Sequence, residues 1–317
     1  MALDADIARY LREQAQMPQP QMPPTLAQMR QATELELRAL HGPAEAVARS
    51  GDFTLRARDG APLRLRVYWP SAPDAPQPAL VFAHGGGWCL GSMELYDNPC
   101  RALTVATGAV VISVDYRLAP EHRFPVPLQD FCDALKWSFE QAERLGLDRK
   151  RIAVAGDSAG GNLAAAACLL ARHSDGWGPA GAPAIAHQLL LYPALDAAMD
   201  SPSFDLFGEG YYLSRSAMAY CYQAYLADPA LQRLEQVSPL HAASLAGLPP
   251  ATVISCEYDP LRDEAEAYAR RLQNEDVPVT ALRLPGMAHA CIHMLGLTQA
   301  ARRLLDEAGA AVQRALG

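Results

Sequence analysis

Along the chain, runs of Val, Ile, Leu and Ala alternate with stretches in which apolar residues return every three or four positions. The strand-like runs fall at 53–58, 63–69, 80–84, 109–115, 151–156, 187–192, 252–257 and 279–284. Several are apolar at successive positions rather than at every second one, the pattern of strands covered on both faces. Helical spacing occupies 128–145, 161–172 and 260–274 between them. The alternation predicts an α/β fold with a mostly parallel sheet flanked by helices. Arg58-Asp59-Gly60-Ala61 joins the first two runs and carries the Asp-Gly hairpin signal, so the leading edge is expected to be antiparallel.

Two further helices are expected at 3–16, with Leu3, Ile7, Tyr10 and Leu11 at helical spacing, and at 26–40. The prolines of 18–24 forbid one continuous helix across them. After Tyr192-Pro193 roughly fifty residues pass before Leu248-Pro249-Pro250 introduces the next strand, far more than an ordinary connection requires. In that interval Met218, Cys221, Tyr222 and Tyr225 have helical spacing, and Phe204, Phe207, Tyr211 and Tyr212 precede them. The expectation is a catalytic domain at 49–317 with a cap built from residues 1–48 and from an insertion at about 196–245. The alternative is a surface excursion whose aromatics pack on the domain.

The 27 basic and 35 acidic residues give a formal charge of −8. No basic stripe offers itself to a phosphate backbone, so nucleic acid is not an expected partner. The longest alanine- and leucine-rich run, 163–171, is far short of the ~20 residues of a bilayer span, and the acids near the N-terminus do not suit a secretory peptide. A soluble cytoplasmic protein is the expectation. Cys89, Cys100, Cys132, Cys168, Cys221, Cys256 and Cys291 are scattered, odd in number and without a C-x-x-C pair. That argues against a disulfide framework or a zinc site and for buried small hydrophobes.

The candidate chemistry begins at Gly156-Asp157-Ser158-Ala159-Gly160, between an apolar run and a small-residue helix. Glycines two residues either side let a strained strand-to-helix turn lift a serine above a sheet edge, where a base can reach it. Upstream, the run 80–84 ends in His84-Gly85-Gly86-Gly87-Trp88. Glycine amides at such a strand end can turn toward a carbonyl oxygen and hold developing negative charge. A plain flexible loop and a phosphate loop are the alternatives; the latter lacks the Gly-Lys-Ser/Thr ending.

An acid and a histidine should follow the serine in that order. Asp259 stands at the end of the run 252–257, and His289 lies on the loop leaving the last run. Asp259 has a second reading, as the N-cap of the helix that Pro260 would open. Asp263 competes as the acid from one turn into that helix. His293 competes as the base four residues after His289, whereas His41, His122, His173, His187 and His241 have surface or structural contexts.

Taken in order, His84-Gly85-Gly86-Gly87, Asp115-Tyr116-Arg117-Leu118-Ala119-Pro120-Glu121, Gly156-Asp157-Ser158-Ala159-Gly160-Gly161, Asp259-Pro260-Leu261-Arg262-Asp263 and Gly286-Met287-Ala288-His289 resemble the bacterial hormone-sensitive-lipase-like carboxylesterases of the α/β-hydrolase superfamily. The resemblance spans residues 50–317. It implies an eight-stranded α/β-hydrolase core with a helical cap, hydrolysis of short- to medium-chain carboxylic esters, no cofactor, and a homodimer as in some relatives. By the same resemblance Ser158 is the nucleophile, His289 the base and Asp259 the acid, with the amides of Gly86, Gly87 and Ala159 as the oxyanion hole. Asp157 places the chain in the branch with Asp before the serine, while His84 and the 115–121 stretch are structural. One departure stands out. The family commonly has His-Gly-Phe at the catalytic histidine, where this chain has His289-Ala290-Cys291.

Such a serine, histidine and acid would form and hydrolyse an acyl-enzyme. A histidine base predicts activity falling below about pH 6.5. Two other functions share this scaffold: an amidase or formamidase on the same three residues, and a small-molecule receptor without catalysis. Receptors of that kind usually lose the histidine that this chain keeps.

Overall fold

The computed structural model describes residues 2–17, 22, 24–72, 75–173 and 185–317. Of the proline cluster expected to separate the first helices, Pro18, Pro20 and Pro23 lie outside the described residues, as does the side chain of His173.

Eight strands form one sheet: β1 (Arg49–Arg56), β2 (Pro62–Trp69), β3 (Gln77–Ala83), β4 (Val110–Asp115), β5 (Leu147–Asp157), β6 (Gln188–Leu191), β7 (Ala251–Tyr258) and β8 (Val279–Ala288). Their spatial order is β1-β2-β4-β3-β5-β6-β7-β8. β2 pairs antiparallel with both β1 and β4, and every other pairing is parallel. The antiparallel edge turns at 57–61, where Gly60 has φ +86° and its amide donates to the Ala57 carbonyl.

Ten helices accompany the sheet among the described residues: α1 (Ala5–Gln16), α2 (Leu26–Leu40), α3 (Asp97–Thr107), α4 (Val126–Glu140), α5 (Ala142–Leu145), α6 (Ala159–His173), α7 (Pro202–Phe207), α8 (Arg215–Tyr225), α9 (Arg262–Asn274) and α10 (Arg302–Leu316). The continuous apolar runs are explained by two separate cores. In β3, Ala79, Val81 and Ala83 enter one core with α4, α6 and α9, while Leu80 and Phe82 enter the other with α3 and α10. A strand with a buried face on each side has no solvent face to mark with polar residues.

Boundaries moved where tertiary contacts outweigh local pattern. The helix expected at 128–145 divides into α4 and α5 at Gln141. β8 continues past Leu284 to Ala288, because a register shift in β7 lets Tyr258 pair with Ala288. α9 begins at Arg262 rather than at Pro260, which stays in the preceding turn. α3 and α10, which the sequence pattern had not singled out, pack on one another; a Cβ on Gly309 would come 2.3 Å from the Ala106 carbonyl.

The N-terminal helices are held to the body at several points. Asp4 caps α1 by accepting the Asp6 and Ile7 amides, and its own amide donates to the Gly286 carbonyl at 2.9 Å. α2 opens with a Thr25–Gln28 capping box. From α2, Arg30 pairs with Glu121 at 2.7 Å and donates to the Cys89 and Ala119 carbonyls. Between β6 and β7, α8 buries Met218, Cys221, Tyr222 and Tyr225, the face its spacing predicted. Tyr225 stacks on Trp88 with centroids 4.4 Å apart, joining α8 to the glycine loop after β3.

Candidate active site

β5 ends at Asp157, α6 begins at Ala159, and Ser158 makes the turn between them with φ +52°. A left-handed conformation is costly for a residue with a Cβ, so the surrounding structure must hold it. The Ser158 amide donates to the Leu191 carbonyl, and its own carbonyl accepts from Asn162 and Ala194. The flanking glycines are required for contact as well as for the turn. A Cβ on Gly156 would lie 2.3 Å from the Gly160 carbonyl, and one on Gly160 would lie 2.0 Å from the Ala83 carbonyl.

β8 and β7 bring the other two residues to this turn. His289 Nε2 is 2.9 Å from Ser158 Oγ, and His289 Nδ1 is 2.7 Å from Asp259 Oδ2. With the proton on Nδ1 shared to Asp259, Nε2 is left to accept from the serine hydroxyl. All three side chains are buried. The two readings of Asp259 resolve into one geometry: Oδ2 meets the histidine while Oδ1 accepts the Leu261 amide at 2.8 Å, ahead of α9, whose N-cap is Leu261. Asp263 instead accepts the Ser203 amide and pairs with Arg262.

The glycine loop lies beside the serine, and Gly85, Gly86 and Gly87 line the same cavity. Gly86 has φ +112° and Gly87 φ +58°, so both occupy the region that glycine tolerates without strain. Gly86 packs so closely on Leu90 that a Cβ would lie 2.3 Å from its carbonyl oxygen. Ala159 is the first residue of α6, where helix N–H groups lack an intrahelical acceptor.

Asp157 carries a positioning role that the sequence reading missed. Its Oδ1 accepts the Gly85 amide at 2.7 Å, and its Oδ2 accepts the Tyr96 hydroxyl at 3.0 Å and the Tyr192 hydroxyl at 3.4 Å. Burial pushes its carboxyl up to about 6 against the downward pull of these bonds. An acid beside a glycine-flanked serine was the only signal available, because Tyr96 and Tyr192 come from distant segments. Removing the carboxylate with Asp157→Ala should lower kcat by about 10- to 100-fold with a smaller change in KM, since misplacing a reacting group by 1 Å costs that order. Asp157→Asn keeps an acceptor for Gly85 and should recover part of the loss; equal activity in Asp157→Ala and wild type would refute the role.

His84 packs on Tyr116 with centroids 4.3 Å apart and meets the Gly85 carbonyl through Nδ1, while Tyr116 donates to the His84 carbonyl. His293 does not reach the serine: its Nδ1 meets His41 Nε2 at 2.8 Å, joining the C-terminal end of α2 to the histidine loop. Of the remaining histidines, His187 bonds Thr252 Oγ1 and His241 pairs with Asp196. All seven cysteines are free and buried. At the departure from His-Gly-Phe, Ala290 sits at φ +63° and Cys291 Sγ lies 3.6 Å from Cys256 Sγ.

The histidine pair ties stability to pH. Burial lowers the His41 pKa from 6.5 to about 4. The unfolded chain therefore takes up the proton first on acidification, so this contribution is full above about pH 6.5 and is lost as pH falls toward 4. Chemical denaturation should show a shallower decline for His41→Asn than for wild type over this range; parallel slopes would contradict the linkage.

A cavity of about 400 Å³ opens over Ser158 and His289. Its walls come from the glycine loop, from α1 and α2 (Tyr10, Glu36 and Leu37 among them) and from the segment between β6 and β7 (Tyr212, Met218 and Cys221 among them).

A strand-turn-helix serine hydrogen-bonded to a histidine and carboxylate, at the ends of parallel strands in this order, is the arrangement of an α/β hydrolase. The alpha/beta hydrolase fold family matches residues 80–293. An ethyl acetate hydrolase of Pseudomonas putida is 39% identical over 245 residues, covering 77% of this chain and 76% of that protein. An arylesterase of Saccharolobus solfataricus is 37% identical over 276 residues, or 87% and 86% of the two chains. Among solved structures, a hyperthermophilic esterase from the archaeon Pyrobaculum calidifontis superposes with a TM-score of 0.90 at 37% identity, covering 99% of each chain. The chain belongs to the hormone-sensitive-lipase-like carboxylesterases of the α/β-hydrolase superfamily. It is a carboxylic ester hydrolase acting on small-molecule esters. No described helix is long and apolar enough to cross a membrane.

Proposed function

We propose that Ser158 is the nucleophile, His289 the general base and Asp259 its orienting acid, with the amides of Gly86, Gly87 and Ala159 binding the oxyanion. The observation that carries this reading is the hydrogen-bonded chain from Ser158 Oγ through His289 to Asp259, 2.9 and 2.7 Å long, set in the wall of the cavity. His289 takes the proton as Ser158 Oγ bonds to the ester carbonyl carbon, and the three amides stabilise the negative charge that the oxygen gains. Collapse breaks the bond to the alkoxy oxygen, and His289 returns the proton to the leaving alcohol. Water then repeats the attack on the acyl-serine with the same base, releasing the acid. Asp259 holds the ring and stabilises the imidazolium at each stage.

Labelling with a fluorophosphonate tests the nucleophile. Peptide mass mapping should place one adduct on Ser158, with hydrolysis of p-nitrophenyl butyrate stopped in proportion. Inactivation with the adduct elsewhere would overturn the assignment.

Residues 1–48 together with about 196–245 form the cap, a reading supported by the walls that α1, α2 and α8 contribute to the cavity. The preferred acyl chains are short to medium, as suits an enclosed volume at the lower end of ordinary ligand sites. Rates across a series of nitrophenyl esters should peak between acetate and octanoate and fall by about tenfold at palmitate; a maximum at palmitate would refute this. Seven free thiols accord with a reducing, cytoplasmic setting. The homodimer implied by the family is checked by the mass in solution.

A further inference from the structure

The part of the cavity wall built by α1, α2 and the segment ahead of α8 sets polar side chains among Leu11, Leu37 and Leu213. α1 contributes Tyr10 and Gln14 and α2 contributes Thr33 and Glu36, while Tyr212 comes from the segment ahead of α8. The Tyr10 hydroxyl donates to a Glu36 carboxylate oxygen, joining the two N-terminal helices at the cavity surface. Tyr212 is held at φ +76°, a strained conformation for a side-chain-bearing residue, and it belongs to the same wall.

Charge is distributed unevenly there. None of the residues lining the cavity is a lysine or arginine. Of the arginines nearby in sequence, Arg9 pairs with Asp6, Arg30 with Glu121 and Arg38 with Glu34, while Arg12 is exposed two residues from Tyr10 and does not line the cavity. Glu36 lines the cavity and has no ion-pair partner among the described residues. A carboxylate in a partly enclosed, low-dielectric cavity attracts a cation more strongly than it would in bulk water.

Resting on the esterase reading above, we infer that the cavity selects esters one arm of which ends in a positively charged amine, with Glu36 as the residue that recognises it. The chemistry needs nothing beyond ion pairing: Glu36 meets the cation, and the Tyr10 hydroxyl, which donates to one carboxylate oxygen, competes with it for the charge. The same wall disfavours an anionic arm, and it repels the carboxylic acid product once the acyl-enzyme is hydrolysed.

The test uses isosteric pairs that differ only in charge. Choline butyrate against 3,3-dimethylbutyl butyrate probes the alcohol arm. The p-nitrophenyl esters of 4-(trimethylammonio)butanoate and 5,5-dimethylhexanoate probe the acyl arm. At low ionic strength wild type should favour the cation by about fivefold in kcat/KM on at least one arm, a preference that salt erodes. Glu36→Gln should bring that ratio to about one. Tyr10→Phe frees the carboxylate, should raise the ratio, and provides a second readout if Glu36→Gln folds poorly. Ratios near one in wild type on both arms would overturn the inference. So would a Glu36→Gln defect that reduces both members of each pair by the same factor, which would mark Glu36 as a link between α1 and α2 only. Failure to hydrolyse either the neutral esters or p-nitrophenyl butyrate would count instead against the esterase mechanism on which the inference rests.

Discussion

Ser158→Ala is expected to lower kcat on p-nitrophenyl butyrate by about 10⁶-fold, the scale on which losing a serine nucleophile disables such a site. The substitution removes one atom whose hydrogen bond in the structure is to His289 Nε2. The backbone contacts of the turn, from the Ser158 amide to Leu191 and from Asn162 and Ala194 to its carbonyl, do not involve that atom. Alanine meets the same left-handed strain at φ +52° that serine already bears. The fold should therefore persist, with a melting temperature within a few degrees of wild type, because a change under 1 kcal/mol shifts a domain of this size by only about 2–4 °C. Residual activity within tenfold of wild type, after contaminating esterase is excluded by the fluorophosphonate, would end the case for this serine.

Gly87→Ala should lower kcat by about 10²- to 10³-fold, the cost of losing an oxyanion donor. A Cβ at this position would lie 2.2 Å from Cys221 Sγ and 2.7 Å from Cys221 Cβ on α8. Either α8 or the loop must move, and the loop carries the amide. The φ of +58° adds a modest strain penalty for alanine. Deleting the obstructing side chain tests the cause. Gly87→Ala combined with Cys221→Gly should regain at least tenfold over Gly87→Ala, although Cys221→Gly alone costs about 1 kcal/mol of helix stability. A strictly multiplicative double mutant would place the damage in the backbone strain and not in contact with α8.

That contact shows where sequence reading stopped. Gly85 to Gly87 announced a bend near a strand end, and the charge and spacing of Ser158, Asp259 and His289 proposed partners across more than a hundred positions. Nothing local said that α8 would press on Gly87, or that Arg30 of α2 would pair with Glu121. The aromatic and sulfur side chains of α8 were legible as a buried face, yet the partner of that face was not. Asp157 was read as a mark of one family branch, and its grip on Gly85 depends on Tyr96 and Tyr192 arriving from other elements. His293 had the spacing to rival His289, and only its pairing with His41 removed it.

By itself the sequence determined the α/β layering, the antiparallel edge and the family, because continuous apolar runs, turn residues and ordered motifs are local properties of the chain. Tertiary structure decided the cavity. The wall formed by Tyr10, Glu36 and Tyr212 joins residues about two hundred positions apart, and its charge balance depends on which arginines other carboxylates occupy. Backbone pattern is set by neighbours in sequence, whereas the environment of a substrate is set by neighbours in space.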